Sequence, residues 1–339
     1  MTEILSQEVL LEERKGKLAT KGVQHYDGRH FLASKEVILS GGAFRTPQLL
    51  MLSGIGPAAE LKKANIPVRL DLPGVGQNFY DHLLVGFAFR LKDPSLGLAM
   101  GGAAGPWADP AYQSGLAADW IVTEKVPRSI LEEAVKKDLA SDRSRDQDEY
   151  VMSLEPRSTH LESVMIYVPG GPPIANLHAP FDGNHIGAVV GVMSPTSRGS
   201  ISISSTSALD PPVIDPNYNA TSVNHTLMRY AIRRLLDAVH NSMSVVIDSE
   251  NPPPPFEALT ISSSDEAIDA RVNSEARSFF HAAGTASMGS VVDTKLRVKG
   301  VSGLRVVDAS VIPLPIGAPL QVATYAIAAQ AADLIGREE

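Results

Sequence analysis

One of the nine histidines in this chain, His281, lies in Phe279-Phe280-His281-Ala282-Ala283-Gly284-Thr285 and has the side chain for acid–base chemistry. An imidazole titrates near neutral pH, so it can take the proton of a hydroxyl. The same residue also reads as a histidine capping a strand ahead of Gly284-Thr285, and the residues alone favour that reading. Further on, Gly317-Ala318-Pro319 opens a closing helix. A helix start offers unpartnered backbone N–H groups and the positive end of the helix dipole, and both favour negative charge. An ordinary amphipathic closing helix fits those residues equally well. The absence of cysteine removes disulfides, thiolate nucleophiles and Cys-bound metals. No histidines fall at H-x-x-x-H or similar spacing, so no structural metal is expected.

Composition narrows the class of protein. With 339 residues, 44% apolar content and a net charge of −8, the chain can bury one large core or two smaller ones. The acidic balance argues against a nucleic-acid partner, which needs concentrated Lys and Arg. No apolar stretch approaches the roughly 18–20 residues of a membrane span. Residues 1–10 lack a charged segment followed by a long apolar run, so a cytoplasmic location is expected.

The elements that must position these residues are legible in outline. Glu8–Glu13 is a short strand candidate, Leu18–Tyr26 alternates as a strand does, and an Asp27-Gly28 hairpin turn leads to a return over Phe31–Leu39. Thr46-Pro47 reads as the N-cap and first residue of a helix that Gly54 stops. Ser95–Gly115 is rich in Gly, Ala and Pro and reads as a loop. A charged helix is expected over Ser129–Arg145, with an apolar stripe from Ile130 to Leu139. Val164–Val168, Ile186–Met193 and Ser200–Ser204 read as strands of one antiparallel sheet, and Asn219–Val246 as a long helix. The last helix is expected from Pro319 to about Ile335, with Gly336 just past its end.

Four stretches carry a resemblance. They are Gly41 to Gly56 (GGAFRTPQLLMLSGIG); Pro73-Gly74-Val75-Gly76-Gln77-Asn78 with Asp81-His82; Ser194 to Ser200 (SPTSRGS) with Pro212 to Tyr218; and the FFHAAGTASMG and LRVVDASVIPLPIGAPLQVATYAI segments. Together they resemble the glucose–methanol–choline (GMC) oxidoreductase family over nearly the whole chain. The resemblance implies a mixed α/β fold: part of a Rossmann-like FAD-binding domain, interrupted by a substrate domain with an antiparallel sheet. It places residues 1–84 and 273–339 in the flavin domain and 85–272 in the substrate domain. It makes His281 the general base and FAD the cofactor. It sets the closing helix, with the N–H groups of Leu320 and Gln321, at the flavin ring. Asp308 and Ala309 would lie at the flavin phosphates and ribityl chain, and the backbone of Val9 at the adenine.

Two departures stand out. Where the family places a second His or Asn, this chain has Pro319, which has neither an N–H nor a side-chain donor. No G-x-G-x-x-G turn between a strand and a helix is present to hold a pyrophosphate. The first strand would also have an unpaired edge if left alone. These features lead to the expectation of a split enzyme, a heterodimer in which a separate polypeptide supplies the N-terminal FAD-binding portion. The expected activity is oxidation of a hydroxyl-bearing, apolar or aromatic small molecule. This rests on Trp107, Tyr112 and Trp120 in the segment expected to cover the pocket. The alternatives are a lyase-like, non-redox flavoprotein and a degenerate subunit that stabilises an active relative.

Overall fold

Alternating residues at the start of the chain build a hairpin, β1 (Ser6–Arg14) and β2 (Lys17–His25), in register from Ser6↔His25 to Arg14↔Lys17. Its two-residue turn, Lys15-Gly16, has positive φ at both positions (52° and 73°), which matches the twist of the strands. The computed structural model describes residues 4–102, 107, 109, 111, 117–142, 150, 154, 159–169 and 179–337. After the Asp27-Gly28 turn, β3 (His30–Leu32) pairs with β2, but β4 (Val37–Leu39) leaves this sheet. It pairs in parallel with β16 (Leu304–Val306). The single returning strand expected over Phe31–Leu39 is thus two. Just before β16, β15 (Val301–Ser302) pairs in parallel with β2. Gly303, at φ 72°, lets one short segment serve both sheets.

Helix α1 (Gly42–Leu52) begins five residues earlier than Thr46-Pro47 suggests, and Pro47 lies inside it. Two side chains from the far end of the chain make this possible. Asp308 Oδ2 accepts the Gly42 N–H at 2.9 Å and the Thr46 hydroxyl at 2.6 Å. Pro47 has no N–H to give to the Ala43 carbonyl one turn back, and that carbonyl accepts the Thr285 hydroxyl at 2.7 Å instead. Beyond α1 lie the short parallel pair β5 (Ile55–Gly56) and β6 (Leu70–Asp71), with α2 (Ala58–Lys63) between them.

The second sheet has six strands: β7 (Leu83–Leu91), β8 (Ile121–Glu124), β9 (Leu161–Ile166), β10 (His185–Val192), β13 (Ile247–Glu250) and β14 (Arg277–Ser278). They are antiparallel, in the order β13-β7-β10-β9-β8, with β14 on one end of β7. Val85, Phe87, Phe89, Ala188 and Val190 turn to one face and share a core with α3 (Arg128–Ser141) and α4 (Ser222–His240). Thr221 caps α4 with its hydroxyl, which accepts the Asn224 N–H. The expected strand at Ser200–Ser204 does not join this sheet. β11 (Ser200–Ser202) pairs with β12 (Val213–Asp215). The Gly74–Phe79 loop holds β11 there, because Gly199 exchanges backbone bonds with Phe79 and Ile201 donates to the Gly76 carbonyl.

Helices α5 (Asp265–Glu275) and α6 (Gln321–Arg337) complete the set. The last helix begins two residues beyond Pro319 and takes Gly336 into its final turn. The Arg337–Asp333 pair, four residues apart, favours that extra turn. A second core joins the front of the chain to its end, through Val9, Leu39, Leu50, Ile55, Val75, Val306 and Val311. Between the two cores lies a small cluster of Tyr80, Ala283, Ile312 and Leu320. The edge of β1 is not bare, as expected for a strand awaiting a partner chain. Ser53 Oγ accepts the Val9 N–H at 2.8 Å, and the Gln7 side chain bonds the backbone of Thr206 and Ala208.

Candidate active site

The turn between β14 and Ala283 is held by one buried carboxylate. Asp81 Oδ1 accepts the His281 N–H at 2.8 Å, and Oδ2 accepts the hydroxyls of Tyr218, at 2.6 Å, and Ser278. The Phe279 N–H donates to the His82 carbonyl at 2.8 Å. So constrained, Phe280 takes φ 63°, the left-handed region, while remaining 63% exposed. For a bulky side chain that conformation costs on the order of 1 kcal/mol, and it persists where the surroundings over-determine it.

This turn delivers the His281 ring to His82. Their Nδ1 atoms are 2.9 Å apart, and the rings meet edge to face at 80°. On its other side, Phe279 stacks on His281 with centroids 5.1 Å apart. Burial lowers the His281 pKa against the opposing pull of the Asp81 carboxylate. Burial, and then the neighbouring His281, push His82 down to about 3. Both rings are therefore neutral near pH 7, and a neutral His281 can accept a proton. In the sequence Asp81-His82 stands within a motif that assigns neither residue a role. The available signal was a carboxylate and an imidazole side by side, directly ahead of an apolar strand.

The sheet contributes a second face. Leu84, Val189 and Ile166 pack there with Phe279 and Val164. Glu162 pairs with Gly191, where an added Cβ would lie 2.6 Å from the Phe279 ring. Residues opposite each other on paired strands share a face, so Glu162 lies on the Phe279 side. It is buried, and burial raises its pKa. Sequence reasoning missed it, because its face is set by strand register.

The remaining candidates lie in the small cluster between the cores, at the exposed start of α6, and in or beside the second core. Ala309 and Leu320 pack in the cluster with Tyr80 and Ala283, two residues from His281. Pro319 and Gln321 are exposed at the start of α6. Val9 is in the second core. The Asp308 carboxylate is fully engaged by Gly42, Thr46 and both the N–H and the hydroxyl of Ser310, so it ties β16 to α1. Trp107 donates to the Gly97 carbonyl at 2.7 Å and rests on Tyr167, whereas Trp120 is 79% exposed ahead of β8. Tyr112 lies outside the described residues.

Fold and site together define a mixed α/β scaffold with an antiparallel sheet, beside which two imidazoles, His82 and His281, meet. The chain belongs to the GMC oxidoreductase family: the family's N-terminal pattern matches residues 1–84 and its C-terminal pattern residues 195–328. It is 39% identical over 320 residues to the GMC-type oxidoreductase acuG of Aspergillus aculeatus, covering 94% of this chain and 60% of that one. It is 33% identical to human mitochondrial choline dehydrogenase, over 98% of this chain and 53% of that one. Among solved structures, formate oxidase of Aspergillus oryzae superposes with a TM-score of 0.80 at 29% identity, over 99% of this chain and 60% of that one. An FAD-dependent oxidoreductase of Chaetomium thermophilum gives 0.74 at 26% identity, over 100% of this chain and 61% of that one. The chain thus spans 60% of the length of acuG and about half that of choline dehydrogenase. The expectation of a separate polypeptide bearing the N-terminal portion is overturned. The family's N-terminal pattern is present in this chain, relatives align with nearly all of it as single polypeptides, and the edge of β1 is covered from within.

Proposed function

We propose that this chain carries the acid–base and substrate-facing part of an FAD-dependent oxidation of a hydroxyl-bearing small molecule. The observation that carries the proposal is His281, neutral and half-exposed, on a turn fixed by Asp81 and beside a largely apolar sheet face. Residues 1–84 and 273–339 would serve the cofactor and 85–272 the substrate. The residues present suit FAD. Helix α6 exposes Val322 and Tyr325 (78% and 72%), an apolar surface suited to a flat ring system, and the N–H groups of Leu320 and Gln321 follow Pro319 at its start. When bound, FAD supplies the hydride acceptor.

His281 takes the hydroxyl proton, and Phe279 fixes the plane of its ring. Leu84, Val164 and Val189 exclude water and favour an apolar or aromatic substrate, and Glu162 adds a carboxyl to the same face. Position 319 offers no second acid–base group. This favours one other reading: proton transfer at His281 without net redox change.

One experiment separates the two. The FAD-loaded protein is mixed anaerobically with a panel of aliphatic and aryl alcohols, and the flavin absorbance is followed. Bleaching that slows by about 10²–10⁴-fold in His281→Ala supports the oxidation. Bleaching that is unchanged in that variant removes His281 from the reaction. Substrate loss that depends on His281 but leaves the flavin oxidised moves the activity to the non-redox reading.

A further inference from the structure

The other buried carboxyls among the described residues are supplied with donors from the fold. Asp81 accepts from the His281 N–H and from the hydroxyls of Tyr218 and Ser278, and Asp308 accepts from Gly42, Thr46 and Ser310. Asp138 accepts the N–H groups of Ser222 and Val223 and the Tyr150 hydroxyl. Glu250 pairs with Arg271 and takes the Leu259 N–H. Glu162 is the exception: at 3% exposure it has no hydrogen bond or ion pair with any of the described residues. A buried carboxyl without a partner is costly to retain, so an outside partner is expected.

Strand register fixes what Glu162 faces. Leu84, Gly191 and Glu162 form one row across β7, β10 and β9. Gly191 leaves a gap in that row, and the Phe279 ring fills it. Val164 and Ile166, two and four residues further along β9, pack with Phe279 on the same face. Phe279 in turn stacks on His281, nearly parallel at 11°. The carboxyl is thus set into an apolar wall that begins at the candidate base, and the side chains of that wall offer it no donor.

We propose that Glu162 is a specificity-determining residue, whose carboxyl hydrogen-bonds a second hydroxyl on an otherwise apolar substrate held at His281. A hydroxyl suits this position better than a cation. It donates to a carboxylate and accepts from a carboxylic acid, so it pairs with either form, and burial pushes Glu162 towards the acid. An ammonium would shed its water among aliphatic side chains for a single partner, which an isolated pair seldom repays. Phe279 is stacked on His281 and seated beside Glu162, so an apolar body lying over its ring would carry one hydroxyl towards each. The inference rests on the reading of this face as the substrate wall, and the preference it predicts does not require His281 to be the base.

The test is calorimetric binding to the FAD-loaded protein, with its flavin already reduced and kept anaerobic so that no alcohol is oxidised. The probes are para-hydroxybenzyl alcohol, para-methylbenzyl alcohol and para-aminomethylbenzyl alcohol, which are similar in size. The hydroxyl probe should bind about 10- to 100-fold tighter than the methyl probe. Glu162→Leu should erase that margin, and Glu162→Gln, whose amide also pairs with a hydroxyl, should keep most of it. Equal binding of the hydroxyl and methyl probes by the wild type, tightest binding of the amine, or a margin that survives in Glu162→Leu overturns the proposal. Stability supplies a reading that a structural carboxyl would reverse. Leucine fills a similar volume and removes an unpartnered polar group, so the urea midpoint should hold or rise. A lower midpoint would show that the fold itself satisfies the carboxyl, and also overturns the proposal. If His281→Ala leaves flavin bleaching unchanged, the catalytic reading fails while the hydroxyl preference and its loss in Glu162→Leu still stand.

Discussion

The His82 ring makes a pH dependence of stability that can be worked out in sign. Folded, it stays neutral down to about pH 3, while an unfolded chain protonates the same ring near 6.5. Between those values the unfolded state binds the extra proton, so stability rises with pH through the window and is lost as pH falls through it. The limiting slope for one such group is about 1.4 kcal/mol per pH unit, and above pH 6.5 or so it adds none. Urea unfolding of the wild type and His82→Phe at several values between pH 4 and 8 checks this. The variant should show a shallower acid loss, by close to one proton. Parallel curves would mean that the ring does not titrate with folding. The contrast between the two histidines also shows what a sequence can carry. His281 was legible, because its neighbours match a pattern and its chemistry is that of a lone base. His82 lies 199 residues away in the chain, and only the closed fold brings the two rings together.

At the scale of elements, α1 shows why local signals fell short. Thr46-Pro47 has the composition of a helix start, yet the helix begins at Gly42 because Asp308 and Thr285, from the far end of the chain, supply the partners that local groups do not. Strand signals were more reliable where one run stays in one sheet, as in the alternation of β2 and the apolar run of β10, which is buried on both faces. They failed at β3–β4, where one apolar run serves two sheets. The Thr285–Ala43 bond is testable. Thr285 is wholly buried, and valine matches its shape without a donor. Thr285→Val should leave the Ala43 carbonyl buried and unpaired, at about 1–3 kcal/mol of stability in denaturant titration. Amide exchange should quicken mainly in the first turn of α1 and around Gly284–Ser287. A change within a few tenths of a kcal/mol would show that water or a shifted backbone satisfies the carbonyl.

For the whole molecule, the question is what holds the two cores in the register that the site needs. The polar tie centres on Asn78, which sits at φ 60°, a left-handed conformation that asparagine tolerates better than most residues. Its amide donates to Ser287 Oγ and to the Pro313 carbonyl, both at 2.9 Å, and its oxygen accepts from Arg198 Nε at 2.7 Å. Arg198 in turn lies over the Tyr80 ring, 5.5 Å from its centroid, and Tyr80 OH donates to the Leu314 carbonyl. One side chain therefore connects the Gly74–Phe79 loop, the Ser194–Ser200 segment, the turn after His281 and the approach to α6. Asn78→Ala removes three hydrogen bonds, one of them charge-assisted, and adds backbone strain. A loss of about 2–4 kcal/mol is expected. Its signature should be spatial spread: hydrogen exchange should quicken together at Pro195–Gly199, Ser287 and Ile312–Leu320, segments far apart in sequence. His281 should then lose its fixed relation to α6, so FAD binding should weaken even with the His82–His281 contact intact. Faster exchange confined to Gly76–Tyr80 would show instead that each core holds its own part of the site, and that Asn78 only shapes its loop.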